Sequence, residues 1–288
     1  MSQPRIAVVG SVNLDFIIES ERLPHPGETE IGGRFSTSPG GKGANQALAA
    51  RRLGAETALI AHVGADHYAE LALDNLRTDG VDLSALTVSG SDATGAAFIN
   101  VDAQGENQIS VASGANLSFS EDYLPASIDA DIVLFQLEVP QDVLIAAAKR
   151  SGGQIILNTA PALPLEPELL KQVDVLILNE HEHAAYGDSL SDFNGVLVIT
   201  LGAKGAFVLE QGRELARCSA FPIDVVDTTG AGDCFSGALA TALAEGMDYA
   251  DALRFACAAG ALATTRLGAQ SALPSKAAVM DLLSVNPG

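Results

Sequence analysis

Residues 132–158 read IVLFQLEVPQDVLIAAAKRSGGQIILN, and this stretch decides the architecture. Ile132–Gln136 is an apolar run with β-branched members and predicts a strand. Residues 141–150 then carry apolar side chains at helical spacing, and Gln154–Asn158 returns to the strand pattern. The alternation continues. Residues 167–173 predict a short helix, and 175–178, Val196–Thr200 and 205–209 predict strands. Two long helices are expected at about 233–245 and 250–265. Strands alternating with helices predict an α/β protein with a mostly parallel sheet covered on both faces.

Upstream the same pattern begins with the short apolar run 6–9, which ends at Gly10. A helix is expected from Gly43 to a stop at Gly54, a strand over 57–63 and a helix over 69–78. Two polar segments interrupt this order. Residues 21–39 are rich in Pro, Gly, Ser and Thr, and 96–101 and 108–112 form a hairpin pattern about a polar loop. Residues 13–38 and 93–113 are therefore expected to build a small β-sheet projecting from the main body as a lid or an interface. No linker divides the chain, so one domain over 1–288 is expected.

The formal net charge is −20, from 36 acidic and 16 basic residues. Such a surface repels nucleic-acid backbones and anionic membranes. A polyphosphate ligand would have to be held by local dipoles or a metal rather than by the overall field. The three cysteines, Cys218, Cys234 and Cys257, have no paired spacing, which argues against disulfides or a zinc site and fits a reducing cytoplasm. No stretch approaches the length of a membrane span or a signal-peptide core, so a cytoplasmic location is expected.

Several constellations could carry chemistry. Residues 39–45, P-G-G-K-G-A-N, run straight into a predicted helix, whose free N–H groups would attract anions or hydroxyls. The spacing is not that of a P-loop. Residues 226–235, V-D-T-T-G-A-G-D-C-F, place a small-residue turn before a second helix. The N–H groups of Ala231, Gly232 and Asp233 would point out of that helix start and form an anion hole. Asp233 could there be an ordinary cap, but the two adjacent glycines favour a functional carboxylate. Residues 178–182, L-N-E-H-E, could hold a hydrated Mg²⁺ at a strand end, or simply start a helix. His181 and His183 are two residues apart and share no helix face, which makes zinc a poor fit. T-L-G-A-K-G at 200–205 reads as a turn. Asn13, Asp15 and Glu138 follow strands, at the edge where open α/β sheets bind ligands. Cys234 has no visible partner base, and Cys218 and Cys257 read as small buried hydrophobes.

Together these segments resemble the ribokinase family of carbohydrate kinases. The likeness starts at V-G-S-V-N-L-D (9–15), passes through G-G-K-G-A-N-Q-A (40–47) and L-N-E-H-E, and ends with D-T-T-G-A-G-D-C-F (227–235) and R-L-G-A-Q (266–270). The run 105–116, G-E-N-Q-I-S-V-A-S-G-A-N, resembles the ribose-specific branch. The resemblance implies a three-layer αβα sandwich with a small β-lid, often used for homodimerisation. It implies transfer of the ATP γ-phosphoryl to a sugar hydroxymethyl, most narrowly the 5-hydroxymethyl of D-ribose, with Asp233 as base and the Gly230, Ala231 and Gly232 turn as anion hole. Sugar contacts are implied at Asn13, Asp15, Gly41, Lys42, Gly43, Asn45 and Glu138. Nucleotide contacts are implied at Asn179, Thr200, Leu201, Gly202, Ala203, Lys204, Gly205, Gly232 and Cys257. Glu182 matches an acid associated with Mg²⁺. Asp227, Thr229, Ala263, Arg266, Gly268 and Ala272 match a monovalent-cation site, usually for K⁺.

The chain departs from the family pattern at two of these positions. Ala272 replaces a common Ser, so that one cation ligand is lost or supplied by Ser271, and Cys257 stands where a polar residue is frequent. The stretch between Glu182 and Val196 is also short. The rival expectations are another sugar or nucleoside kinase of the family, such as a fructokinase or deoxyribose kinase, and a non-catalytic sugar sensor. A dinucleotide-binding dehydrogenase would need G-x-G-x-x-G after the first strand, where G-S-V-N-L-D stands instead.

Overall fold

The computed structural model describes residues 3–287. In chain order its strands are β1 (Arg5–Val9), β2 (Asn13–Glu19), β3 (Arg34–Gly40), β4 (Glu56–Ile60), β5 (His62–Gly64), β6 (Thr87–Ser89), β7 (Gly95–Val101) and β8 (Asn107–Ala112). They continue with β9 (Ile132–Gln136), β10 (Gln154–Asn158), β11 (Val175–Asn179), β12 (Val196–Thr200), β13 (Ala206–Glu210) and β14 (Arg213–Cys218). The helices are α1 (Lys42–Arg52), α2 (His67–Ala72), α3 (Asp74–Thr78), α4 (Ala115–Ser118), α5 (Gln141–Lys149), α6 (Pro167–Leu170), α7 (Glu180–Tyr186), α8 (Ala231–Ala244), α9 (Tyr249–Ala263) and α10 (Lys276–Val285).

The main sheet has eight strands in the order β14-β13-β12-β11-β10-β9-β1-β4. From β12 to β4 every pairing is parallel, and β13 and β14 add an antiparallel edge. Alternate residues of each strand feed opposite cores. Ile6, Val8, Ile132, Leu134 and Ile177 pack with α1, α8 and α9 on one face. Ala7, Val9, Val133, Phe135 and Leu176 pack with α5 and α6 on the other. This gives the three layers, and it explains why these strands read as continuous apolar runs.

Parallel strands end on one edge. Gln136 lies opposite Asn158 in register, and Asn179 lies opposite Thr200. The polar residues that stop the apolar runs are thereby gathered along a single carboxyl rim.

A second sheet, β3-β2-β7-β8, is built from both polar segments. Strand alternation puts Phe16, Ile18 and Phe98 on one of its faces and Asp15 on the other. Phe98 stacks on Phe16 at 5.2 Å, and Phe98 and Phe35 remain exposed. Among the described residues no helix is long and apolar enough to cross a membrane.

Some expected boundaries move. The strand expected over 57–63 is split, because β5 leaves the main sheet to pair with β6. The helix expected over 69–78 starts at His67, since the Asp66 carboxylate accepts the Ala69 N–H at 3.0 Å, and it divides at Leu73. Apolar spacing does not register such a polar cap. Helix α8 begins at Ala231 rather than Asp233. Helix α10 was not among the expected elements, although Ser275 caps it by accepting the Ala278 N–H at 3.3 Å.

Candidate active site

The motif residues converge where the sheet rim meets the first turns of α1 and α8. A cavity of about 280 Å³ is lined by Lys42, Asn158, Asn179, Glu182, Thr200, Thr228, Gly230, Gly232 and Asp233, among others. A larger groove of about 840 Å³ opens between residues 162–173 and 185–195, and no motif residue lines it. The smaller cleft is the candidate site because the polar groups converge there.

Asp233 is the third residue of α8, so it is not a cap. Gly230 is the N-cap and makes no side-chain cap bond. Its φ of 74° suits glycine, and a Cβ there would lie 2.8 Å from the Ala269 side chain. Of the three N–H groups expected to be free, that of Ala231 is held by the Thr228 carbonyl at 3.2 Å. Those of Gly232 and Asp233 have no acceptor among the described residues. Two amides at a helix start, rather than three, are thus available to an anion.

The Asp233 carboxylate is buried. Its Oδ2 accepts from Asn45 Nδ2 at 3.0 Å and its Oδ1 from Gln46 Nε2 at 3.0 Å. Lys42 lines the same cleft, and Asp233 first, then Glu138 and Glu182, hold its ammonium charged against the opposing effect of burial. Asn45 Oδ1 is buried and has no partner. A buried acceptor without a donor is costly, and a hydroxyl beside it would satisfy it.

The start of α1 is occupied differently from the sequence expectation. Its free amides do not await a ligand. The Lys42 N–H donates to Glu138 Oε2 at 3.1 Å, the Gly43 N–H to the Ser11 hydroxyl at 3.3 Å, and the Ala44 N–H to the Ser11 carbonyl. Ser11 in turn donates to the same Glu138 oxygen at 2.5 Å. Glu138 therefore caps α1 with one oxygen and keeps the other uncommitted. Asn13 is fixed by Asn116, whose Nδ2 donates to Asn13 Oδ1 at 2.8 Å and whose Oδ1 accepts the Val12 N–H. Burial, then Glu138 and Asp233, push the Asp15 carboxyl up from 3.8 to about 6.

At the β11 end of the cleft, Asn179 and Glu182 form a reciprocal capping box on α7. Glu182 Oε2 accepts from the Asn179 N–H at 2.9 Å and from Thr159 at 3.3 Å, which leaves Oε1 uncommitted. Thr200 reaches the cleft, and Leu201, Gly202, Ala203, Lys204 and Gly205 form the turn beyond it, all outside the cavity lining. Cys257 does not line the cavity; it is buried on α9 with its thiol against Cys218. Cys234 is fully buried and donates to the Ala259 carbonyl, so it is no nucleophile. His181 is exposed on α7, and among the described residues no group of three or more His, Cys, Asp or Glu could hold a metal.

The Asp227 carboxylate accepts from the Thr229 N–H and hydroxyl with one oxygen and from the Gly268 N–H with the other. Burial would raise its pKa, but these bonds hold it below the usual range. They draw 227–229 and 266–268 together. Ala272 is buried, and the Ser271 hydroxyl donates to the Leu267 carbonyl at 2.6 Å. Sequence reasoning gave no role to Ser11, Gln46, Gln136, Asn158 or Thr159. The available signal was a polar residue closing an apolar strand, as at Gln136 and Asn158.

Residues 3–276 match the family described as pfkB family carbohydrate kinase. Ribokinase of Bacillus subtilis is 39% identical over 292 residues, covering 97% of this chain and 99% of that one. Ribokinase of Haemophilus influenzae is 37% identical, covering 96% and 98%. Among solved structures, ribokinase from Thermotoga maritima superposes with a TM-score of 0.86 at 33% identity, covering 97% and 99%. Arabidopsis thaliana ribokinase complexed with ribose and ATP gives 0.85 at 32%, covering 98% and 99%.

Proposed function

The chain belongs to the pfkB family of carbohydrate kinases, and from that premise we propose that it transfers the γ-phosphoryl of ATP to the 5-hydroxymethyl of D-ribose. The observation that carries the reading is the buried Asp233 beside the two unpartnered amides of Gly232 and Asp233, in a cleft shared with Lys42. The sugar 5-oxygen attacks the γ-phosphorus, the bond to the ADP oxygen breaks, and the hydroxyl proton passes to Asp233. The amides and Lys42 stabilise charge on the phosphoryl oxygens, and the rest is positioning.

The sugar hydroxyls are assigned to Asn13, Asp15, Asn45 and Glu138, with Gly41, Lys42 and Gly43 forming the wall. The orphaned Asn45 Oδ1 supports this assignment, because it can accept from a hydroxyl. The nucleotide is assigned to the rim at Asn179, Thr200 and the turn 201–205, and Cys257, buried against Cys218 outside the cavity lining, is given no contact with it. The ribokinases among the relatives, one complexed with ribose and ATP, support the choice of substrates.

Two ions fit the residues present. Mg²⁺ binds hard oxygens and few protein ligands, so it would arrive with the nucleotide near the uncommitted Glu182 Oε1 and neutralise phosphate charge. K⁺ would be held by Asp227 and by backbone carbonyls of Thr229, Ala263, Arg266 and Gly268, an all-oxygen set suited to a hard cation. The buried Ala272 offers no side-chain oxygen there. A homodimer through the four-stranded sheet is supported by its exposed Phe35 and Phe98. One domain over 1–288 and a cytoplasmic location complete the proposal.

The test is ADP release with Mg²⁺-ATP against ribose, 2-deoxyribose, fructose, tagatose and adenosine, using the wild type and Asp233→Asn. We expect a kcat/KM preference for ribose, and a loss of at least about 100-fold in kcat in the variant with sugar binding retained. Near-wild-type turnover by Asp233→Asn would remove the base assignment.

A further inference from the structure

Behind Asp233 lies a chain of buried amides to which the proposed transfer gives no role. Gln46 Nε2 donates to Asp233 Oδ1 at 3.0 Å and to Asn158 Oδ1 at 3.2 Å. Gln136 Nε2 donates to Gln46 Oε1 at 2.8 Å. Asn158 Nδ2 donates to the Ile177 carbonyl at 3.3 Å. Gln46 and Gln136 are wholly buried.

The direction of every amide follows from the far end. A backbone carbonyl only accepts, so Asn158 must turn its NH₂ toward Ile177 and its oxygen toward Gln46. Gln46 must then present its NH₂ to Asn158, and the same group reaches Asp233. Its oxygen is left for Gln136. The opposite orientation would set the Gln46 oxygen against the Asp233 carboxylate, two acceptors face to face.

The packing around this chain leaves little freedom. A Cβ on Gly10 would lie 1.8 Å from Gln136 Oε1, so only glycine there leaves room for the glutamine. A Cβ on Gly237, one turn after Asp233, would lie 2.7 Å from the Gln46 carbonyl, so α8 closes on α1 at this level. Gln136 Oε1 remains buried with no partner. A fold selected for stability alone would place an apolar side chain there.

We propose that Gln46 is the positioning residue of Asp233, held in orientation by Gln136 and Asn158, and that this relay fixes the carboxylate plane for proton acceptance. The proposal rests on the reading of Asp233 as the base. The carboxylate is pinned at both oxygens, Oδ2 by Asn45 and Oδ1 by Gln46. Asn45 is assigned to the sugar as well, so its hold changes with ligand. Gln46 has no route to the sugar, and its hold is constant. Without it, rotation about the broad terminal torsion of Asp233 is free on one side. A misplacement of the base costs turnover rather than ground-state binding.

The test compares Gln46→Met, Gln136→Met, their double variant and Asp233→Asn, with kcat and KM for D-ribose at saturating Mg²⁺-ATP and thermal unfolding as a check on folding. Methionine keeps the volume and removes the amide. We expect Gln46→Met to lose about 10- to 100-fold in kcat with the ribose KM within about threefold. Gln136→Met should lose less, and the double variant should be no worse than Gln46→Met, because both residues act along one path. Gln46→Met at wild-type kcat, or with a raised KM and unchanged kcat, overturns the relay while Asp233→Asn stays inactive. Multiplicative losses in the double variant also overturn it. If Gln46→Met does not fold, Gln136→Met decides the matter, and wild-type kcat in that folded variant sinks the proposal. Turnover retained by Asp233→Asn would remove the base reading and the relay together.

Discussion

Replacing Asp15 by asparagine should stabilise the ligand-free protein near neutral pH while abolishing a pH-dependent step in sugar capture. Burial, then the carboxylates of Glu138 and Asp233, raise the Asp15 pKa from 3.8 to about 6. The folded protein therefore holds this proton more tightly than the unfolded chain does. The resulting stabilisation is fully present below about pH 4 and is lost as pH rises through about 6. The shift of about two units corresponds to about 3 kcal/mol at most, since each unit is about 1.4 kcal/mol. Asparagine carries no charge to desolvate, so Asp15→Asn avoids the loss. The variant and the wild type should melt together near pH 4, diverge progressively between about pH 4 and 6, and hold a constant difference above that, with the variant about 5 °C higher at pH 7.5.

Activity should move the other way. If the ionised carboxylate accepts from a sugar hydroxyl, the competent fraction rises from about 10% at pH 5 to about 90% at pH 7. Wild-type kcat/KM for ribose should climb about tenfold over that interval, and Asp15→Asn should lack this limb. The assays are thermal melts without ligand and initial rates across pH 5–8. A melting difference that stays flat with pH, or a variant less stable than wild type at pH 7.5, would refute the reasoning, because it would mean that Asp15 is not desolvated among like charges.

Two further outcomes are expected. Replacing tetramethylammonium with K⁺ at equal ionic strength should raise kcat, measured by ADP release; no response would mean that the segment around Asp227 and Gly268 no longer holds a cation. Phe98→Asp on the exposed face of the four-stranded sheet should convert a dimer to a monomer in light scattering, and an unchanged mass would place the dimer elsewhere or remove it.

Much of this was legible because the chemistry of the main sheet is written in contiguous runs. IVLFQ and QIILN need no partner to be read, since strands buried on both faces are apolar at every position. The small-residue turn before Asp233 was equally local, though its helix begins two residues earlier than the apolar pattern indicated. What the sequence could not yield is polar pairing at long range. Glu138 caps α1 from 96 residues away, and Gln46 meets Asp233 across 187. Nothing in the local spacing of GGKGANQA distinguishes an amide that awaits a ligand from one already satisfied by Ser11 and Glu138. The same limit misjudged Ala231, whose N–H is taken by Thr228.

The pairing of helix starts with carboxylates also answers how a chain of net charge −20 can hold a polyphosphate. At α1 the amides are spent on Glu138 and Ser11, so that helix start attracts no phosphate. At α8 the cap is a glycine, and no side chain competes for the amides of Gly232 and Asp233. Asp233 sits on that second helix, yet its oxygens are turned back into Asn45 and Gln46 rather than over the amides. Lys42 stands between the two ends, kept charged chiefly by Asp233. The positive character is thus confined to one helix start and one ammonium. Outside the cleft the acidic surface slows the approach of a phosphate, and inside it the local dipoles decide. Association with ATP should therefore quicken as salt screens the surface, while the transfer step, enclosed by fixed dipoles, should respond far less.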